Sequence, residues 1–191
     1  VGGVVATPGA GAEVEVWILG SSLYGAQLAA VLGLPYAFAS HFAPDALDEA
    51  LALYRREFRP GPRLSAPYVM AGFNVFAAAT TEQAKFLASS MEQAFVAIRT
   101  VRPMRLPPPV AGYRDSLPPQ ARAMLDNVLQ SSAIGDERHV AERLSAFAER
   151  TKADELIIAC QMHDHQARRE SYAIAARAAA RLGWNVAGAA A

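Results

Sequence analysis

A single cysteine among 191 residues excludes an internal disulfide framework. Cys160 sits in the apolar run Leu156-Ile157-Ile158-Ala159-Cys160 and reads as a buried thiol in a strand. Neither sign of charge is in excess, with Lys+Arg and Asp+Glu both at 18, so there is no basic surface for nucleic acid or for an anionic membrane. No apolar run is long enough to cross a bilayer, and the N-terminus lacks the charged flank of a signal peptide. The reducing cytoplasm is the address that these absences suggest. Also missing are the six-residue dinucleotide fingerprint and a P-loop with its lysine. What is abundant is hydrophobic residues, 52% of the chain, enough for one domain with a sizeable core.

The most informative stretch is Val14-Glu15-Val16-Trp17-Ile18-Leu19-Gly20-Ser21-Ser22-Leu23-Tyr24-Gly25-Ala26. An apolar, β-branched run ends at Gly20, two serines follow, and an Ala/Leu-rich helical pattern begins. This is a buried strand turning into the N-terminus of a helix. Gly20 and Gly25 carry no side chain, so backbone N–H groups can approach a ligand closely. Two hydroxyls and the positive end of a helix dipole then share one small space, which suits a phosphate. The local chemistry alone equally allows a tight turn with a serine N-cap.

Strands and helices alternate along the rest of the chain. The spacing predicts strands over residues 14–19, 36–40, 68–77 and 155–161. Helices are expected over 24–32, 45–58, 81–98, 119–129, from 135 to about 151, and 165–182. Gly33 and Gly183 are C-terminal stops. Pro103, Pro107, Pro108, Pro109, Pro118 and Pro119 force an extended excursion over 101–119. Repeated βα units with apolar strands imply a parallel sheet covered by helices. Four strands do not close a barrel, and a doubly wound sheet needs helices on both faces.

From about Val14 to Leu182 the chain resembles the C-terminal half of the bacterial-luciferase-like family of flavin-dependent monooxygenases. The resemblance is carried by Trp17-Ile18-Leu19-Gly20-Ser21-Ser22-Leu23-Tyr24-Gly25-Ala26-Gln27-Leu28-Ala29 and Gly33-Leu34-Pro35-Tyr36-Ala37-Phe38-Ala39-Ser40-His41-Phe42. Further along, Ala71-Gly72-Phe73-Asn74-Val75-Phe76-Ala77-Ala78, Ser132-Ala133-Ile134-Gly135-Asp136 and Ala153-Asp154-Glu155-Leu156-Ile157-Ile158 follow in the same order. It implies an α/β fold, a (β/α)8 TIM barrel of which residues 1–191 supply about the C-terminal four βα units, with the first four lying outside this sequence. It implies reduced FMN as cofactor, with O2 and a small organic substrate, and a flavin phosphate held at Ser21, Ser22, Tyr24 and Gly25. A deazaflavin, or a non-catalytic flavin-binding role, is the alternative within the same fold. A flavin reductase as partner and a homo-oligomeric assembly are compatible with the resemblance. The luciferases carry an acidic residue at the Ser21 position, so light emission is not expected.

The catalytic histidine of the luciferases falls in the half outside this sequence, which leaves His41 as the catalytic candidate here. It lies at the C-terminal end of strand two, the catalytic face of a barrel. There it could donate to a flavin ring oxygen or a peroxide, or cap the loop before Pro44, with Phe38 and Phe42 shaping a pocket. Gln161 and His163-Asp164-His165 follow strand four at the same face. No further ligand completes a metal set there, and Asp164 reads as the cap of the last helix. His139 is expected on a solvated face beside Arg138 and Arg143. Asn74 interrupts an apolar strand and must bridge strands or face the barrel mouth. Arg168, Arg169, Arg177 and Arg181 read as the solvated face of the final helix.

Overall fold

The computed structural model of the chain describes residues 7–99 and 105–186. The first three units are β1 (Ile18–Gly20), α1 (Leu23–Leu32), β2 (Tyr36–Phe38), α2 (Leu47–Glu57), β3 (Val69–Ala77) and α3 (Thr81–Arg99). A 3₁₀ turn at Tyr113–Ser116 leads into α4 (Pro119–Val128), and then come β4 (Ser132–Gly135), α5 (Glu137–Thr151), β5 (Glu155–Ala159) and α6 (His165–Arg181). The start of the lead-in, residues 1–6, and Pro103 lie outside the described residues. The remaining proline-rich stretch before the 3₁₀ turn has no helix or strand, as its missing N–H groups require.

Two expectations are corrected. Among the described residues the strands number five, because Ser132–Gly135 pairs with β3 where the sequence reads only as the approach to a helix. That segment has just two apolar residues and follows α4 almost directly, too short for a period-2 signal. The first strand is also shorter than expected: Val14 and Val16 are exposed and only Ile18–Gly20 pairs.

All the pairings are parallel, and β3 is the hub. Alternate residues of a strand turn their backbone groups to opposite edges. Even-numbered positions of β3 face one edge: Tyr68 O accepts from Tyr36 N–H, and Asn74 N–H donates to Ser131 O. Odd-numbered positions face the other, where Val69 O accepts from Asp154 N–H. Hence β2 and β4 share one edge of β3 end to end, and β5 takes the opposite edge. Between β2 and β4, Gly72 O is met by the Ser40 hydroxyl at 2.6 Å. Beyond the last residue of β5, the buried Ser171 of α6 takes over. Its hydroxyl donates to Val75 O at 3.1 Å and accepts from Ala77 N–H at 2.9 Å.

The two faces of the sheet differ. Val69, Ala71, Phe73, Val75 and Ala77 join Tyr36 and Phe38 under α1, α2, α5 and α6 in the main core. Tyr54 anchors this layer, its hydroxyl donating to Leu34 O at 2.8 Å while its ring lies 5.4 Å from that of Tyr36. Full burial of such side chains contributes about 1.5–3 kcal/mol each. The opposite face carries Leu19, Ala37, Met70, Gly72, Asn74 and Ile157 along the register. Leu19 and Ile157 are 72% and 54% exposed there. Only the C-terminal end of that face is covered, where Phe76 packs with Met91 and Phe95 of α3 and Leu125 and Val128 of α4. Arg114 ties this overhang together, its Nε 2.6 Å from the buried Glu92 carboxylate and its Nη1 3.0 Å from Asp126. Helical cover is thus mainly one-sided, unlike a doubly wound sheet.

Candidate functional site

The turn from β1 to α1 stands at the C-terminal end of the sheet. Ser22 occupies the N-cap with extended backbone (φ −143, ψ 166), yet its hydroxyl makes no capping bond. Ser21, Ser22 and Tyr24 are exposed, Tyr24 by 74%, and the first turn of α1 holds no acidic residue. The first N–H groups of a helix lack intrahelical partners, so hydroxyls and backbone donors face the same space without an opposing charge. Below them Tyr36 donates from its hydroxyl to Ser22 O at 3.2 Å. Burial pushes that phenol up to about 12, so it stays a donor at neutral pH.

The two glycines of the turn face each other. A Cβ on Gly25 would lie 3.5 Å from Gly20 Cα and 3.5 Å from Tyr36 Cε2, and a Cβ on Gly20 would likewise face Gly25. A Cβ at either position would make ordinary van der Waals contact there, so both glycines face the packed side of the turn. The outward-facing parts of this turn are Ser21, Ser22 and Tyr24.

The end of β2 makes the second polar arrangement. Ala39 N–H donates to Gly20 O, which sets it directly beside the first turn. His41 is drawn onto the helix-free face, so close to β3 that a Cβ on Gly72 would fall 2.0 Å from its Nδ1. Asn74 Nδ2 donates to His41 O at 2.7 Å and lies 3.4 Å from Ser132 Oγ, so the buried amide bridges β3 to the β2 end and to β4. His41 Nδ1 and Asn74 Oδ1 are both sealed without a partner. Burial lowers the His41 pKa below its ordinary 6.5 and favours the neutral ring. Gly72, which sequence reasoning passed over as a site residue, is the residue that makes this approach possible; a glycine inside an apolar strand was the available signal. Phe38 is buried under the helices rather than in a pocket, whereas Phe42 is exposed.

Beyond β5, Asp164 Oδ1 accepts from Ala167 N–H at 2.7 Å as the cap of α6. His163 is exposed, and His165 Nδ1 lies 2.8 Å from Arg168 Nη2. Among the described residues no three His, Cys, Asp or Glu side chains gather as a metal site. His139 is not on a solvated face: it folds back against Gly135, where a Cβ would meet its ring at 2.8 Å. Arg143 donates to Ser132 O and Gln130 O, holding the approach to β4. Arg177 and Arg181 both pair with Glu137 of α5, at 2.9 and 2.8 Å. Among the described residues no helix is long and apolar enough to cross a membrane.

The sequence profile of luciferase-like monooxygenases matches residues 2–155. The chain belongs to the luciferase-like monooxygenase family. It is similar to the luciferase-like monooxygenase of Escherichia coli (strain K12), 46% identical over 168 residues, or 88% of this chain and 50% of that protein. Among solved structures it resembles apo-MsnO8, with a TM-score of 0.74 and 28% identity over 90% of this chain and 53% of the other. The riboflavin lyase RcaE, solved with modified FMN and substrate riboflavin, shares the fold at a TM-score of 0.56 and 16% identity. That match covers 93% of this chain and 45% of RcaE. This luciferase-like chain thus spans about half the length of the relatives it matches.

Proposed function

We propose that the chain forms the flavin-phosphate half of a monooxygenase that uses reduced FMN and O2 on a small organic substrate. The observation that carries this reading is Ser22, an N-cap serine whose hydroxyl is withheld from its own helix. With Ser21, Tyr24 and the N–H groups of the first turn of α1, it forms a cradle of donors free of acidic neighbours, as a phosphate requires. Family membership supports the reading, as does the modified FMN in the riboflavin lyase of the same fold. Gly25, the third residue of α1, offers its backbone N–H to the same cradle. Bound reduced FMN would supply the electrons that activate O2. The chain's own part is to hold the phosphate, present His41 above the sheet and shield the site from water.

The same reading accounts for the open face. Strands β1, β2, β3 and β5 run side by side, and the apolar Leu19 and Ile157 stand on their helix-free face. In this proposal they are half of a (β/α)8 barrel, and a further segment of the protein supplies the other four units.

The test is flavin binding by the complete protein, followed by fluorescence titration with FMN and with riboflavin, which lacks the phosphate. Ser22→Ala removes one hydrogen bond to a charged group, about 1.5–3 kcal/mol. FMN affinity should fall by about tenfold or more while riboflavin affinity holds. Equal affinity for FMN in the variant and the parent would refute the phosphate seat.

A further inference from the structure

His41 is held at both its backbone and its ring. Its carbonyl is gripped by Asn74 Nδ2, and the preceding Ser40 hydroxyl is bonded to Gly72 O. Its ring rests on the bare backbone of Gly72 with Nδ1 turned to the sheet and sealed there without a partner. This arrangement selects the ring's proton. Hydrogen on Nδ1 would be a buried donor with no acceptor, a costly state, and an imidazolium would carry the same orphan together with a charge. A bare lone pair loses less, because unpaired acceptors are better tolerated than unpaired N–H groups. The proton therefore belongs on Nε2, the nitrogen not sealed against the sheet.

Resting on the flavin reading above, we propose that His41 is a fixed neutral donor that holds a carbonyl oxygen of the flavin ring through Nε2–H. The position supports it: Ala39 N–H bonds Gly20 O beside the phosphate seat, and the His41 ring lies over Gly72 of β3, two strands from β1 and about 10 Å away laterally. A ligand anchored by its phosphate at Ser21 and Ser22 would carry its body across the end of β2. The lone pair of the ring is buried against Gly72, so His41 does not act there as a proton acceptor. Ser40, Gly72 and Asn74 are positioning residues, acting through the histidine.

Substitution separates the two nitrogens, because the amide of glutamine places N–H near Nε2 and that of asparagine near Nδ1. In the complete protein, His41→Ala and His41→Asn should weaken FMN and riboflavin binding alike, by about three- to tenfold. His41→Gln should restore both to within about twofold of the parent. Nitrogen-15 NMR of the flavin-free protein should show Nε2 protonated and Nδ1 bare. The proposal is overturned by a protonated Nδ1, by a glutamine variant as weak as the asparagine one, or by flavin affinity untouched in all three. A parent protein that binds neither flavin would show at once that the flavin reading itself has failed. Loss of FMN selectivity in Ser22→Ala together with an inert His41 series would leave the phosphate seat standing and remove only this inference.

Discussion

Among the described residues four helices begin with a side chain that can cap them, α3 with Thr80 among them, and they use it in two ways. At α5 the Asp136 carboxylate accepts from His139 N–H at 2.9 Å, and at α6 Asp164 accepts from Ala167 N–H at 2.7 Å. At α1 Ser22 has the extended backbone of a cap and leaves its hydroxyl free. A cap contributes about 0.5–2 kcal/mol. The helices that only hold the fold take that stabilisation, whereas the helix at the candidate ligand site forgoes it. The identity of the residue does not separate the two cases, since serine and aspartate are both good caps. The bond that is made or withheld does.

The contrast can be pressed hardest where a hydroxyl is fully used. Ser171→Ala strands both Val75 O and Ala77 N–H in the core, and stability should fall by about 1–3 kcal/mol per group left unpaired, measured by urea titration. Flavin affinity should be unchanged, and a flavin defect in a stable variant would blur the division drawn above. Asp164→Ala removes a working cap and should cost about 1 kcal/mol in the same titration. Ser22→Ala should change stability by no more than a few tenths of a kcal/mol while cutting FMN binding, since no capping bond is lost. A stability loss as large as that of Asp164→Ala would show that Ser22 caps α1 in solution.

The smallest effect concerns pH. Burial holds His41 below its ordinary pKa of 6.5, so the unfolded chain takes up a proton before the folded one does. Stability from this residue is complete above about pH 6.5 and declines as pH falls toward the lower folded value. Denaturation of the parent and of His41→Gln at pH 7 and pH 5 should diverge in that window, the parent losing more.

Most of the frame was legible because its signals are local. Asp164 announces α6, Thr80 caps α3 by accepting from Gln83 N–H at 3.2 Å, and Gly33 ends α1 with a left-handed φ of 63. The apolar run of 69–77 could only be a buried strand. What escaped depends on neighbours distant in sequence. β4 exists because the upper half of one β3 edge is left vacant by the short β2, which nothing within 132–135 announces. Val14 and Val16 are β-formers with no strand opposite them among the described residues. His139 and Arg143 have the spacing of a solvated face, but the Gly135 surface and the carbonyls of residues 130 and 132 draw them inward. At the candidate site Ser21, Ser22 and Tyr24 were readable as a motif. The arrangement of His41 over Gly72 was not, because it needs the register of β2 against β3.

Because β4 returns to the edge that β2 leaves free, the chain departs from β3 at Ala77 and rejoins it at Ser132, the direct neighbour of Asn74 in the same strand. The described parts of this excursion, α3, the proline segment, the Arg114 turn and α4, leave and return to one strand, at ends about 11 Å apart. They overhang the sheet at the end where Ser22 and His41 stand. Lineages or engineers can lengthen, shorten or exchange such an excursion without rethreading a single strand, altering what the overhang admits while the polar groups beneath keep their places.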